Sequence, residues 1–455
     1  MRLYVVFVIL ILFPFFNTNK GKQINNLSTN SSICASQISD DKDLKFMYLN
    51  AQDLYNYEYY NEALTIFLRL LKTDKQNCNL NFYVGACYLF SKGQRTKAIE
   101  YLEKAILKTN IAYSYSYKET SAPVFAFLYL GQAYHLNSKW DEALIAYDKF
   151  KSFLTNKSKD AEFINTVDHY IEMTNQAKKN MASPVNVKIT PFKIANSTSS
   201  ELSLISSPDG TTYYFSSKRK GAMGGVKDNF GEFLADIYYT QYKDGKYITP
   251  KKLAFKINST NSDIINYISA DNKKIYLSRE TKNSFDIFVS VKSKKNKWTP
   301  PEKLGININS KDNETWAFIS ADGTSILFSS DRPGGYGGYD IYMADKISNE
   351  EWGVPYNLGP EINTKYDEIC PFLMIDGTLY FSSKGHETMG GYDIFESELS
   401  STGLWTKPEN MGYPLNTVND DFNFTPTENN WKKGFYTTSK VGGFGETDIF
   451  QYSFE

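Results

Sequence analysis

The chain has 455 residues, and 50 Lys and Arg side chains are balanced by 51 Asp and Glu, giving a net charge of −1. A nucleic-acid-binding protein needs a basic surplus to displace phosphate counterions, so this balance argues against nucleic acid as a partner. The three His are far apart in sequence, and the four Cys are too few for a disulfide scaffold of this length. Composition therefore disfavours zinc enzymes and His-based catalysis, and we expect no cofactor and no metal.

The N-terminus has the pattern of an export signal. Arg2 precedes an apolar run over residues 3–16, which is shorter than the ~20 residues of a membrane-spanning helix. We predict a signal peptide at 1–18, with an uncleaved anchor as the alternative because no A-x-A triplet follows, and a disordered linker at 19–44. Lipidation of Cys34 is a further alternative, although Ser31-Ser32-Ile33 departs from the usual lipoprotein pattern. The protein is expected in the periplasm or on the periplasmic face of the outer membrane, with membrane association only through the N-terminus or partners.

Residues 45–181 show the apolar period of helices. Within 127–150, Gly131 on one helix and Ala143 on the next are small where two helices cross, and Tyr147 fills the space between them. The same offsets recur from Gly85 and, more weakly, from Ala51, and 34 residues separate these two positions. That spacing and these residue types resemble tetratricopeptide repeats. We predict three repeats and a closing helix at 160–180, forming a short solenoid, with residues 110–123 inserted as a polar loop.

After Pro184 the sequence changes to strands rich in Tyr, Phe and Ile, separated by Asp-Gly, Asn-Ser and Gly-Gly turns. A block of about fifty residues repeats, with an Asp-Gly or Asp-Asn hairpin, an Asp-Ile-aromatic strand, an aromatic–Pro element and an Asn-Ser/Thr turn. The Asp-Ile-aromatic triplets begin at Asp236, Asp286, Asp340, Asp393 and Asp448. Five four-stranded units that cannot bury both faces alone predict a five-bladed antiparallel β-propeller over 185–455.

The last block stops after Asp448-Ile-Phe and has no aromatic–Pro strand of its own. Residues 185–197 (VNVKITPFKIANS) have the composition of the missing strand. We therefore predict that this segment completes the last blade and closes the ring, which removes open sheet edges.

No sequence motif indicates catalysis. There is no G-x-S-x-G nucleophile elbow, and the Gly-Gly loops lack the Gly-Lys-Ser/Thr of a phosphate loop. The five repeated Asp are expected to accept hydrogen bonds from turn N–H groups, with metal coordination as the alternative. Acids beside the inter-blade turns recur in every block, whereas a glycosidase needs only one pair of carboxylates. We predict that the protein is not an enzyme and keep a propeller glycoside hydrolase as the least favoured alternative.

The blocks at 320–342 (SADGTSILFSSDRPGGYGGYDIY) and 374–395 (MIDGTLYFSSKGHETMGGYDIF) resemble the WD40-like, TolB-type propeller repeats of bacterial envelope proteins. Helical repeats followed by such a propeller resemble PorE-like and OmpA-associated proteins of Bacteroidota. The resemblance implies a non-enzymatic protein–protein interaction scaffold of the cell envelope, within type IX secretion or gliding machinery, with envelope proteins as partners. An OmpA-like domain follows the propeller in that family but not in this sequence, so direct peptidoglycan anchoring is not expected. A module that binds peptidoglycan or other glycan fragments is the alternative.

The resemblance to tetratricopeptide repeats also implies a partner-binding groove formed by the first helix of each repeat. Aromatic and amide side chains there are suited to binding an extended peptide or a helix. The alternative is that two or three of them pack against the following helix or the propeller. The predicted groove residues are Tyr48, Gln52, Tyr55, Asn56, Phe82, Leu89, Phe90, Gln132 and His135.

Overall fold

The computed structural model describes residues 41–455 apart from 92, 254–255, 283, 296, 349–350, 428–430 and 441. The expectations for the signal peptide, for Cys34 and for most of the linker lie outside the described residues. No helix in the described part is long and apolar enough to span a membrane. The described residues form two compact units, 41–178 with 228–231, and 179–227 with 232–455.

The helical unit is tetratricopeptide-like, as predicted. The described helices are α1 (Asp41–Asn56), α2 (Tyr60–Thr73), α3 (Cys78–Phe90), α4 (Ala98–Ala105), α5 (Phe125–Leu136), α6 (Trp140–Lys151) and α7 (Ala161–Ala182). Between α4 and α5, two short strands pair in parallel, β1 (Thr109–Asn110) and β2 (Ala122–Pro123). The glycines permit the close crossings that the sequence predicts. A Cβ added at Gly85 would lie 2.6 Å from Cγ of Leu102, and one at Gly131 would collide with the buried ring of Tyr147. Consecutive helices therefore pack in pairs, α1 on α2, α3 on α4 and α5 on α6.

The second unit is a five-bladed antiparallel β-propeller, which confirms the predicted fold class. Blade 1 contains β4 (Glu201–Ser206), β5 (Thr212–Ser217), β6 (Asp236–Lys243), β7 (Lys246–Tyr247) and β8 (Lys251–Lys252). Blade 2 contains β9 (Asp263–Ile268), β10 (Lys274–Glu280), β11 (Phe285–Val291) and β12 (Glu302–Lys303). Blade 3 contains β13 (Glu314–Ile319), β14 (Ser325–Ser330), β15 (Asp340–Asp345) and β16 (Tyr356–Asn357). Blade 4 contains β17 (Glu368–Leu373), β18 (Thr378–Ser383), β19 (Asp393–Glu398) and β20 (Glu409–Asn410).

Blade 5 is built from both ends of the propeller sequence. Strands β21 (Asp421–Pro426), β22 (Lys433–Thr438) and β23 (Asp448–Phe454) come from the last repeat, and β3 (Val187–Pro191) pairs antiparallel with β23. This confirms the prediction that 185–197 supplies the missing strand. The register runs from Val187 opposite Phe454 to Pro191 opposite Phe450.

The first strand of each blade is the innermost one. Strand β4 packs beside β9, β9 beside β13, β13 beside β17, β17 beside β21, and β21 beside β4, which closes the ring. Side chains also join neighbouring blades. Ser203 Oγ donates to the Ile265 carbonyl at 2.9 Å between blades 1 and 2, and Thr425 Oγ1 donates to the Leu204 carbonyl at 3.1 Å between blades 5 and 1.

Candidate functional site

The predicted groove residues lie on α1, α3 and α5, but they differ in accessibility. Tyr48, Phe82, Leu89, Gln132 and His135 are all less than 9% exposed, and the other four (Gln52, Tyr55, Asn56 and Phe90) are half-buried. The five buried residues expose little surface to a partner in this structure. The partner-binding role of all nine residues stays a prediction, and only the four half-buried ones have surface with which to meet a partner.

A row of aromatic rings connects α1, α3 and α5. The ring of Tyr55 meets Tyr83 edge-on at 5.2 Å between centroids, and Tyr129 stacks on Phe82 at 5.5 Å and meets Phe90 edge-on at 5.2 Å. Burial raises the pKa of Tyr129 to about 12, so its hydroxyl stays neutral at physiological pH. Such rings offer a large contact area with few rotatable bonds, which suits a protein-binding surface.

Sequence reasoning missed Tyr83, which is central to this row. Gln52 Nε2 donates to the Tyr83 hydroxyl at 2.8 Å, and the Tyr83 ring stacks on Phe67 of α2 at 4.6 Å. Burial raises the pKa of Tyr83 well above its usual value. The tetratricopeptide pattern marks Phe82 rather than its neighbour, so only the density of aromatic residues in CNLNFYVGACYLF could have indicated Tyr83.

The inserted segment 110–123 is anchored to the solenoid instead of standing away from it. Tyr113 is buried and its hydroxyl donates to Oδ1 of Asn79, whose Nδ2 donates to the Tyr48 hydroxyl at 3.0 Å. The Tyr117 hydroxyl donates to Asp41 at 2.8 Å. The segment therefore ties α1 to the start of α3 and contributes to the burial of Tyr48.

In the propeller, four of the five repeated Asp residues accept backbone N–H groups of the Gly-rich loops, as predicted: Asp236, Asp340, Asp393 and Asp448. Asp286 instead accepts from the Ser284 hydroxyl at 3.3 Å and pairs with Lys303 at 2.8 Å. The N–H of Met223 donates to Asp236 at 2.8 Å, that of Met389 to Asp393 at 2.6 Å, and that of Phe444 to Asp448 at 2.6 Å. A carboxylate with several acceptor sites can hold a loop of consecutive N–H groups in one conformation. Within the described part of the chain, these contacts give the repeated Asp residues a structural role.

The Asn of each inter-blade turn forms a second repeated contact. Asn309 accepts from the Ile287 N–H at 2.7 Å and donates to the Ile287 carbonyl at 2.9 Å. The same pair of bonds joins Asn258 to Ile237, Asn363 to Ile341, Asn416 to Ile394, and Asn196 to Ile449. An amide side chain carries its donor and its acceptor on adjacent atoms, so a single Asn can bond to both the N–H and the carbonyl of one residue.

The acids that begin the innermost strands are buried within the blades. Glu201, Asp263, Glu314, Glu368 and Asp421 are all 0% exposed. Each accepts from a Ser or Thr four residues earlier, as Glu314 does from the Ser310 hydroxyl at 2.7 Å. Burial raises the pKa of Glu201 and of Glu368 to about 7. Glu201 has Arg219 beside it at 3.1 Å, whereas Glu368 forms no ion pair within the described part of the chain.

The described residues contain no cluster of His, Cys, Asp and Glu that could hold a metal ion. Cys78, Cys87 and Cys370 are buried free thiols, and burial raises the pKa of Cys87 and Cys370. A protonated, buried thiol is a poor nucleophile, so neither cysteine has the environment of a reactive residue.

Together these features define a tetratricopeptide-like helical unit followed by a five-bladed propeller. No protein-family model and no curated protein sequence matches the chain. Distantly similar solved structures include the Yersinia enterocolitica type III secretion chaperone SycD in complex with a translocator peptide (20% identity, 31% of this chain and 98% of that chain, TM-score 0.25). A putative TolB from Agrobacterium tumefaciens has 18% identity over 57% of this chain and 79% of its own, TM-score 0.35. An endo-arabinase from Bacteroides thetaiotaomicron has 15% identity over 59% of this chain and 98% of its own, TM-score 0.37.

Proposed function

We propose that this protein is a non-enzymatic scaffold of the bacterial cell envelope that binds other envelope proteins through its helical unit. The observation that carries the proposal is the aromatic row across α1, α3 and α5, with half-buried Gln52, Tyr55, Asn56 and Phe90 at its accessible edge. Aromatic residues are enriched where proteins bind one another, and amide side chains beside them can both donate and accept hydrogen bonds.

The finer assignment is a role in type IX secretion or gliding machinery, with the protein exported to the periplasm or the periplasmic face of the outer membrane. It rests on the resemblance of the repeat blocks to those of PorE-like envelope proteins. A non-enzymatic role is supported by the inner-strand acids, because each of these carboxylates is 0% exposed and bonded to neighbouring side chains. A general acid or base must reach its substrate, and these groups are enclosed within the blades.

The proposal is tested by affinity purification of the tagged full chain from cross-linked native envelopes, followed by mass spectrometry. The interface variant is Leu49→Ser with Asn56→Ala, because these residues lie about two turns apart on α1 and retain accessible surface. Tyr55 and Phe90 are less suitable, since both pack on core rings and their loss would confuse unfolding with loss of binding. The control variant is Ile145→Ser on α6, where the side chain is 70% exposed.

We expect subunits of the secretion or gliding machinery to be recovered with the wild type and with Ile145→Ser, and at least severalfold less with the α1 double variant. Recovery of no envelope protein would contradict the scaffold function. Equal recovery with both variants would contradict the assignment of the binding surface to α1.

A further inference from the structure

The two ends of the propeller carry different parts of each repeat. In every blade the strands run antiparallel in chain order from the innermost strand outward. The turn after the first strand and the turn after the third strand therefore lie at the same end of the propeller, which we call the hairpin end. The Gly-rich loops and the inter-blade turns lie at the opposite end.

Lys residues are concentrated at the hairpin end of blades 1 and 2. The turns of blade 1 contribute Lys243 and Lys246. The turns of blade 2 contribute Lys273, Lys274, Lys292, Lys294, Lys295 and Lys297. We call these eight residues the basic rim. The same turns contain three carboxylates, Asp209, Asp244 and Asp271.

The corresponding turns of blades 3 and 4 have the opposite charge. They contain a single Lys, Lys346, and six acidic residues, which are Asp322, Asp345, Glu350, Glu351, Asp376 and Glu398. The hairpin end therefore has a basic side on blades 1 and 2 and an acidic side on blades 3 and 4, although the net charge of the whole chain is only −1.

Contacts between the two turns of blade 2 hold part of the basic rim together. The N–H of Lys292 donates to the Lys273 carbonyl at 2.8 Å, and Nζ of Lys292 donates to Oδ1 of Asn272 at 3.0 Å. Burial lowers the pKa of Lys292, and the charges of Asp209 and Asp271 oppose this shift, so both carboxylates lie near its ammonium group. Asp271 also lies 3.9 Å from Nζ of Lys273. Two of the three Asp are thus already shared with Lys292 and Lys273.

The other six Lys of the basic rim form no ion pair within the described part of the chain. Five of the six are exposed, and these are Lys243, Lys246, Lys294, Lys295 and Lys297. Like charges gathered on two adjacent blades create a positive potential that attracts anions, and an anionic partner would relieve their mutual repulsion.

The residue types indicate what kind of anion this is. At protein–protein interfaces Arg is enriched and Lys is depleted, because the guanidinium group binds a carboxylate through two parallel hydrogen bonds. The basic rim has no Arg, and all three Arg of the propeller (Arg219, Arg279 and Arg332) pair with buried acids of the innermost strands. Lys is a flexible point charge, which suits a mobile layer of lipid phosphates, and clusters of four to eight basic residues are typical of proteins that bind anionic lipids.

Two exposed apolar side chains stand beside these lysines. Tyr242 precedes Lys243 and is 45% exposed, and Val291 precedes Lys292 and is 40% exposed. Tyrosine is enriched at membrane–water interfaces, where its ring lies at the level of the headgroups and its hydroxyl stays in water. This combination favours a lipid surface over an acidic protein as the partner.

We propose that the basic rim binds the anionic headgroups of a lipid bilayer. Blades 1 and 2 then face the membrane, and the acidic turns of blades 3 and 4 point away from it. The sequence predicts membrane association only through the N-terminus or through partners, and the basic rim adds a direct contact between the propeller and lipid. This contact goes beyond the proposed scaffold function and does not depend on the aromatic row of the helices.

The test measures partition of the full chain onto lipid vesicles by sedimentation. One set of vesicles is phosphatidylcholine alone, and the other is equal parts of phosphatidylcholine and phosphatidylglycerol, both in about 0.1 M salt. Lipid concentrations are chosen so that part of the protein stays unbound. The apolar run at 3–16 is present in every variant, so its contribution cancels in the ratio of the two partition coefficients.

The rim variant combines Lys294→Gln, Lys295→Gln and Lys297→Gln. The matched control combines Lys220→Gln, Lys311→Gln and Lys365→Gln, which are exposed lysines in the Gly-rich loop of blade 1 and in two inter-blade turns, at the opposite end. Both variants lose three positive charges, so a difference between them reports the position of the charges and not their number.

We expect wild type and control to prefer the anionic vesicles, and the rim variant to lower the ratio of partition coefficients at least about tenfold. Raising the salt to about 0.5 M should remove most of the preference, because the charges are then screened. The proposal is overturned if the wild type partitions equally onto both vesicles, or if the rim variant and the control lower the ratio equally.

An acidic protein as the true partner would give a different result. The rim variant would then fail to recover a protein from cross-linked envelopes that the wild type recovers, while neither binds anionic vesicles, and this too would overturn the proposal. The scaffold function is tested separately, because its variant lies on α1 and leaves the basic rim unchanged.

Discussion

Phe192 provides a sharp test of how the propeller is closed. It follows the closing strand β3, is 3% exposed, and contacts Tyr213 and Tyr247 of blade 1 and Phe435 of blade 5 with ring centroids 5.0 to 5.7 Å apart. Phe192→Ala leaves a cavity among rings whose strands are held on both sides, so little collapse is possible. We expect the free energy of unfolding to fall by about 3–5 kcal/mol, the usual cost of removing a buried Phe ring.

The assay is urea unfolding followed by tryptophan fluorescence, because five of the six Trp lie in residues 179–455 and report on the propeller. Phe444→Ala is the matched control, since Phe444 is 49% exposed and its loss should change stability by no more than about 0.5 kcal/mol. If Phe192→Ala lowers the free energy of unfolding by less than about 1 kcal/mol, the closing segment does not hold the ring. Deletion of 185–197 should then also leave the propeller transition unchanged, whereas we expect it to abolish the transition.

Three further predictions concern single positions. Asn309→Ala should destabilise the propeller by about 1–3 kcal/mol, because it leaves the buried N–H of Ile287 unpaired, and an unchanged urea midpoint would contradict this role. The Ile287 carbonyl keeps the bond from the Leu304 N–H at 3.0 Å. Burial raises the pKa of Glu368 from 4.5 to about 7, so the folded state binds a proton on this carboxyl more tightly than the unfolded state does. The stabilisation that this proton gives is complete below pH 4.5 and is lost as the pH rises to about 7. Between pH 4.5 and 8 the free energy of unfolding of the wild type should therefore fall by up to about 3 kcal/mol more than that of Glu368→Gln. The same dependence of the unfolding free energy on pH in both proteins would refute the raised pKa of Glu368. Gly131→Leu should collide with Tyr147 and lower the melting temperature of the helical signal in circular dichroism, while Ile145→Leu at an exposed α6 position should not.

The propeller was predictable from sequence because each blade repeats the same local hydrogen bonds. Four of the five Asp residues of the Asp-Ile-aromatic triplets bond to backbone N–H groups of the preceding loop. The Asn of every inter-blade turn bonds to the backbone of the Ile in such a triplet, so the recurrence of these residues encodes the sheet. The missing strand of the last block could be found in 185–197 for the same reason. Asn196 forms with Ile449 the bonds that Asn309 forms with Ile287.

The accessibility of the helical face was not predictable in the same way. A helical period identifies which residues share a face, but not what covers that face. Tyr48 is buried, and its hydroxyl accepts from Asn79, which in turn accepts from Tyr113 of the inserted segment. The segment looked like a polar loop in sequence because its Tyr residues follow no helical or strand period. Its packing depends on contacts between residues more than thirty positions apart, as with Tyr113 and Asn79.

In a protein made of repeats, positions that are the same in every blade maintain the fold, so specificity has to come from positions that differ. The first residue of the innermost strand is an acid in all five blades, and each of these acids is enclosed. The third residue is Ser203, Ile265, Trp316, Cys370 or Asn423, and three of these five have a left-handed backbone. These differences, and not the repeated Asp and Asn residues, distinguish one blade from another.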